Sequence, residues 1–214
     1  MTQVDLYTIK GTKSGKLSLP DEIFKVDVNE ALMSQAVKVY LSNQRKAKAK
    51  SKTRSEINLT KSKWGRQKGS GKARHGAKSA HIFVGGGTAH GPKGIENFKL
   101  KLSKALKKKA LFSSLSQKLA EKKILVIKDF KKLEPKTKNM AEVLKKLKLD
   151  NQKVILVLPK DFEEAKRASR NIENLNLYQA DLLSTYQILN AQNILFAQES
   201  IEEIKDKYLN KKWN

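Results

Sequence analysis

Between Gln44 and Lys109 the sequence sets 20 Lys/Arg against two acids, Glu56 and Glu96. This stretch carries +18 of the chain's net +24, along with all three His and nine of the eleven Gly. Charges of one sign at this density repel, and glycines bring no side chains to bury, so the segment has no means of collapsing on itself. It requires a polyanion, and nucleic acid is the polyanion whose chemistry fits. The other 148 residues carry only +6 and have the patterning of an ordinary globular domain.

The chain's 214 residues suffice for one domain with a core plus an appendage. Absence of Cys excludes disulfides and thiolate metal sites and suits a reducing cytoplasm. The first residues, Met1-Thr-Gln-Val-Asp5, lack the apolar stretch of a signal peptide. Apolar runs such as Val154–Leu158 are far too short to span a bilayer. A soluble, cytoplasmic protein is expected. Binding to anionic lipid would need an amphipathic helix with bulky apolar residues, whereas the basic stretch and its edge have only scattered aromatics: Trp64, Phe83, Phe98 and Phe112.

The spacing predicts an N-terminal hairpin from Val4–Ile9 and Leu17–Leu19, with Gly11 and Gly15 in the turn. Asn29 reads as the N-cap of a helix whose apolar face is Met33, Val37, Tyr40 and Leu41. From Arg45 the stripe is lost and the helix is expected to run out of the globule as a Lys/Ala segment. Residues 52–94 show neither a helical nor a strand period. Folded back as a hairpin, about 45 residues reach roughly 70 Å at most, which describes an arm ordered by its partner.

Beyond the arm, Ser103 reads as an N-cap and Leu111, Leu115 and Leu119 as a buried helix face. Lys107–Lys109 oppose that helix's dipole, a conflict that an anion nearby removes. Strands are expected at Ile124–Ile127, Val154–Leu158, Leu175–Gln179 and Ile194–Ala197. Helices are expected around Met140–Leu147, after a capping-box-like Asp161-Phe-Glu-Glu164, over Asp181–Leu189, and along Ile201, Ile204 and Tyr208. Alternation of strands and helices implies an α/β class with a mostly parallel sheet covered on both faces.

Trp64-Gly-Arg-Gln-Lys-Gly-Ser-Gly-Lys-Ala-Arg74 interleaves cations, glycines and one large aromatic. Lys and Arg neutralise phosphates, Gly lets backbone amides approach them, and Trp64 can stack on an unpaired base. A P-loop is excluded, because Arg66 stands at its first Gly position and Ala73 replaces the magnesium-holding hydroxyl. Gly85-Gly-Gly87-Thr-Ala-His-Gly91 fails as a dinucleotide fingerprint, since His90 replaces a required Gly and no helix follows. The three glycines instead mark a bend where the chain packs against RNA or against its own return limb. His75, His81 and His90 fit no common metal spacing and are read as phosphate or base contacts, so no metal and no cofactor is expected. A Ser/His/Asp site would need a His outside the arm, and there is none; the chain is not expected to be an enzyme.

These residues carry a family resemblance. Leu19-Pro-Asp-Glu-Ile-Phe24, Asn43 to Glu56, Trp64 with Arg66–Arg74, Gly85–Gly87 with Gly91-Pro-Lys93, and Leu106 to Leu119 resemble successive segments of the L-four family of large-subunit ribosomal proteins, in its bacterial form. The likeness runs on, more weakly, to the C-terminus. Leu59-Thr-Lys-Ser-Lys63 stands where the family often has a Gly run, Gly65 intervenes between Trp64 and Arg66, and His90 occupies an often aromatic position.

The resemblance implies a three-layer α/β/α domain formed by residues 1–44 and 95–214. A long basic loop, residues 45–94, would bind large-subunit (23S) rRNA and support early assembly. Its tip would line the nascent-peptide exit tunnel beside large-subunit protein twenty-two, through Trp64, Arg66, Gln67, Lys68, Gly69, Ser70 and Gly71. The rRNA-binding set is Arg45, Lys46, Lys48, Lys52, Arg54, Lys61, Lys63, Trp64, Arg66, Lys68, Lys72, Arg74, His75, Lys78, His81, His90 and Lys93. The rival readings are a free RNA chaperone or regulator using the same arm, and an α/β enzyme with a ligand pocket at the strand C-termini.

Overall fold

A computed structural model describes residues 2–210; Met1 and the last four residues of the 95–214 span lie outside the described residues. Two compact units are present, Met1–Tyr40 with Lys101–Asn214, and Leu41–Leu100.

The first unit opens with the expected hairpin, β1 (Thr2–Tyr7) antiparallel to β2 (Lys13–Leu19). A single turn, α1 (Asp21–Phe24), then buries Ile23 and Phe24, the latter edge-on to Phe196 with ring centroids 6.3 Å apart. In α2 (Glu30–Gln44) the start is as expected, with Asn29 Oδ1 accepting the Leu32 N–H at 2.9 Å. The rest of that helix departs from expectation. It stops at Gln44, and it buries Met33 and Val39 while Leu41 is 46% exposed. Most helical stability comes from burying an apolar face, and the Lys/Ala run has none to bury.

The remainder alternates α3 (Lys104–Ala120), β3 (Ile124–Ile127), α4 (Thr137–Lys146), β4 (Val154–Leu158), α5 (Glu163–Ser169), β5 (Leu175–Gln179), α6 (Thr185–Asn190), β6 (Asn193–Ala197) and α7 (Gln198–Lys205). The six-stranded sheet has the order β2-β1-β3-β6-β4-β5 and is parallel except at the hairpin. Side chains of β4 alternate between two cores. Ile155 and Val157 join residues of α1, α3, α6 and α7; Val154, Leu156 and Leu158 join residues of α4 and α5. Both faces of the sheet are therefore covered, and all five residues of β4 are buried, which is why that strand reads as an unbroken apolar run.

Ser103 caps α3 through the Leu106 N–H, and Leu111 and Leu115 are buried, while Leu119, expected on the same face, is only partly buried. Polar groups share that buried surface. Ser116 Oγ accepts the Val26 N–H at 2.9 Å, and Ser113 Oγ donates to the Asp27 carbonyl at 3.1 Å, so α3 holds the segment leading into α2. Lys118 Nζ donates to the Ala191 carbonyl at 2.7 Å, and burial draws its pKa below the usual lysine value. The capping box expected at Asp161–Glu164 is absent: Phe162 holds the cap position of α5, and Glu163 and Glu164 face the positive helix end instead. A reciprocal bond of that kind occurs at α6, where Gln187 Oε1 accepts the Ser184 N–H at 2.8 Å. The helix expected over Asp181–Leu189 is divided into a 3₁₀ turn, Ala180–Leu182, and α6.

The terminal stripe of Ile201, Ile204 and Tyr208 is buried as expected, and α7 passes into a π turn, Asp206–Asn210. Tyr208 packs edge-on to Phe112, centroids 5.6 Å apart, and burial pushes its phenol up to about 12.

Two outcomes follow from this packing. Leu156→Ala, at a fully buried position between the layers, costs about 2–5 kcal/mol in chemical denaturation; a change below about 0.5 kcal/mol contradicts the burial. Tyr208 retains its proton in the folded state when an unfolded tyrosine has lost it. Its contribution to stability is complete below pH 10 and is lost as pH rises from 10 towards about 12. Spectrophotometric phenol titration should show a tyrosine titrating near 12 that disappears in Tyr208→Phe; an unchanged titration curve in that variant contradicts it.

Candidate nucleic-acid interface

The second unit, Leu41–Leu100, contains no regular helix or strand beyond the end of α2, in keeping with its lack of period. It nevertheless has defined internal contacts, although its charge density alone predicts none. The two limbs meet at antiparallel bridges, Lys50 with Lys93 and Lys63 with Ala77. Main-chain bonds reinforce them: Ser51 N–H to the Pro92 carbonyl at 3.0 Å, Thr88 N–H to the Lys52 carbonyl at 2.9 Å, and Trp64 N–H to the Gly76 carbonyl at 3.0 Å. Limb closure uses uncharged backbone, so it proceeds without gathering the cations.

The glycine run is where that closure is tightest. A Cβ on Gly87 would overlap the backbone nitrogen of Arg54, an approach no side chain tolerates. The bend therefore packs against the chain's own return limb, one of the two expected arrangements. At Gly91 a Cβ would meet Ser51 Oγ, and the preceding His90 takes a left-handed φ of 53°.

Three aromatic side chains make a small cluster within the arm. Trp64 lies edge-on to Phe83 at 5.1 Å and near His75 at 6.1 Å, while His75 and Phe83 are 5.0 Å apart. Lys78 Nζ stands 5.4 Å from the Trp64 ring centroid. Trp64 remains 54% exposed, so part of its ring is open for stacking. Phe83 stands outside the sequence-derived rRNA-binding set. Its signal was available as one of the few aromatics in a segment without apolar spacing.

Every Lys and Arg of the candidate set is exposed, as are His81 and His90, whereas His75 is half-buried in the cluster. Arg45 lies over the Phe98 ring at 4.0 Å. Arg66, Gln67, Lys68, Gly69, Ser70 and Gly71 are all exposed and lie between the partners of the Lys63–Ala77 bridge. Lys63 Nζ donates to Gln67 Oε1 across that turn. Lys46, Lys48, Lys52, Arg54, Lys61, Lys72, Arg74 and Lys93 lie along the limbs. Among the described residues no salt bridge involves an arm cation. The two acids of this unit serve the backbone instead: Glu56 accepts from Thr53 N–H and Oγ1, and Glu96 from the Lys93 N–H. Those bonds hold both carboxyls below the usual glutamate range. The surface is thus a scaffold of paired backbone with its positive charge left outward.

Lys108 departs from the expectation of an external anion, since its Nζ donates to the Tyr208 carbonyl at 2.6 Å within the first unit.

A cleft of about 430 Å³ lies at the ends of β4 and β5, lined by Glu163, Lys166, Arg167, Arg170, Tyr178 and Gln179 among others. Its one carboxylate among the described residues, Glu163, binds Lys166 at 2.8 Å and is held below the usual range by that hydrogen bond. No second acid and no His among the described residues lines it, so it offers no acid–base pair. Among the described residues no group of three or more His, Cys, Asp or Glu is placed to hold a metal, and no helix is long and apolar enough to cross a membrane.

Residues 17–207 match the model of the ribosomal protein L4/L1 family. The chain is 40% identical over 206 residues to the large ribosomal subunit protein uL4 of Christiangramia forsetii, covering 96% of this chain and 99% of the relative. It is 38% identical over 203 residues to the uL4 of Bacteroides fragilis, with 94% and 97% covered. Identity to the uL4 of Thermosipho melanesiensis is 37% over 219 residues, with 96% and 99% covered.

Limb closure should depend on the small size of position 87. Gly87→Val is expected to abolish hydrogen-exchange protection at the Thr88 amide while leaving the first unit's melting unchanged. Retained protection would show that the limbs are not packed through that glycine.

Proposed function

Since the chain belongs to the ribosomal protein L4/L1 family, in its bacterial uL4 branch, we propose that its arm binds large-subunit rRNA. The protein is a structural, non-enzymatic constituent of the large ribosomal subunit. Residues 45–94 are the RNA-binding arm and residues 1–44 and 95–214 the globular domain. The observation carrying this reading is an arm whose cations are exposed and, among the described residues, without acidic partners, on a closed backbone scaffold.

The mechanism is charge neutralisation with mutual ordering. Exposed Lys and Arg replace condensed counterions on phosphates, so binding is driven in large part by counterion release. RNA helices that repel one another can then approach with the arm between them. The half-exposed Trp64 ring adds a stacking surface for an unpaired base. The turn bearing Arg66 to Gly71 lines the exit tunnel beside protein twenty-two, where Lys68 and Arg66 present charge to the passing nascent peptide. Early assembly is served because a neutralised RNA junction is a prerequisite for later packing.

Deletion of residues 52–93 should leave a folded domain whose affinity for large-subunit rRNA falls by at least about a hundredfold. The dependence of log affinity on log salt should flatten by roughly 0.7–0.9 for each phosphate that the arm no longer neutralises. A truncated protein with full affinity across the titration contradicts the proposal. Lys68→Glu should change the isolated protein's stability by no more than about 0.5 kcal/mol. A photo-crosslinker at position 68 should label the nascent chain in translating particles; labelling of rRNA alone would remove the tunnel assignment.

A further inference from the structure

The two edges of the sheet are guarded unequally. An edge strand presents unpaired N–H and carbonyl groups, and native edges commonly carry Lys, Pro or a bulge that discourages an added strand. At one edge, β2 has Lys13, Gly15 and Lys16, and its pairing with β1 shifts register between Leu6 and Tyr7. At the other edge, β5 reads Leu175-Asn-Leu-Tyr-Gln179 and has none of these, on a chain with 45 Lys/Arg. Its length of five residues is ordinary for a paired strand.

The groups left open can be identified. Val154 N–H donates to the Asn174 carbonyl at 2.9 Å, so the main chain of Asn174, Asn176 and Tyr178 faces β4. Alternate residues face the opposite way. The Leu175 carbonyl, both main-chain groups of Leu177 and the Gln179 N–H therefore point off the sheet. Among the described residues none of these groups has a hydrogen-bond partner. The cleft of about 430 Å³ borders this edge through Leu177, Tyr178 and Gln179. Its other wall carries Lys166, Arg167 and Arg170 against one carboxylate, Glu163, which Lys166 binds at 2.8 Å.

We propose that β5 takes up an extended segment of another protein as a further strand of the sheet, with acidic side chains reaching Arg167 and Arg170. Main-chain bonds to Leu175, Leu177 and Gln179 hold the segment, and its alternate side chains on the α5 side select it. A phosphate backbone could neutralise the two arginines but has no amides to pair with the strand. A second copy of this chain would set its own Arg167 and Arg170 against these. An acidic peptide strand satisfies both the edge and the wall. The site belongs to the first unit and does not depend on the arm's chemistry.

The test uses the full chain without RNA and a short peptide alternating Glu with Val. The arm is a polycation that attracts acidic peptides unselectively, so the readout is local: hydrogen exchange at the Leu177 and Gln179 amides. Both should exchange freely in the isolated protein and slow by at least about tenfold when the peptide is added. The same peptide N-methylated at every residue keeps its charge but can neither donate main-chain bonds nor approach the edge, and it should give no protection. Arg167 and Arg170 are exposed, so Arg167→Gln with Arg170→Gln is expected to fold; it should need roughly tenfold more peptide for the same protection. No protection by the unmodified peptide, equal protection by the methylated one, or an unchanged requirement in the variant would each overturn the proposal. So would protection of these amides by an oligouridylate, which would make the cleft an RNA site. Protection that rises with protein concentration alone would also overturn it, because the added strand would then come from a second copy.

Discussion

Repulsion between like charges governs this molecule. Two exposed charges about 4 Å apart interact by about 1 kcal/mol in water, and residues 45–94 set 14 Lys/Arg against one acid, Glu56. A main-chain hydrogen bond contributes about 0.5–1.5 kcal/mol net, and only a handful join the limbs. Those magnitudes allow the backbone to close but leave nothing to gather the cations. The observed arrangement follows: limbs joined through carbonyls, amides and glycines, aromatics clustered, and Lys and Arg directed outward.

The first unit bears none of that burden. Its sheet is covered on both faces, and its core is built from short apolar runs that need no help from the arm. It also contains most of the chain's acids, arranged locally rather than as counterions to the arm. Glu121, Glu134 and Glu163 pair with lysines close by in sequence.

Much of this was legible from residue order. Strand β4 could be read because five consecutive apolar residues satisfy two cores at once. The starts of α2 and α3 could be read because Asn29 and Ser103 cap through their own side chains. The end of α2 could not, since a helix boundary depends on whether the next turn finds something to bury. Nor could the cap of α5, where nearby acids act through the dipole rather than a bond. In the arm, residue types gave the expectation of nucleic-acid chemistry, and the resemblance gave the expected tip. Pairing of Lys50 with Lys93 and packing of Gly87 against Arg54 join residues distant in sequence, and no periodicity encodes them. Trp64, His75 and Phe83 were visible singly, but their convergence required the limbs to be in register.

The central claim is that the outward cations of the arm become phosphate contacts. Residue-resolved acetylation of lysines, compared between the isolated protein and the assembled large subunit, tests it most directly. Lys52, Lys72, Lys78 and Lys93 should react freely in isolation, where all four are exposed, and should be protected in the particle. Equal reactivity of these four lysines in both states would contradict the account.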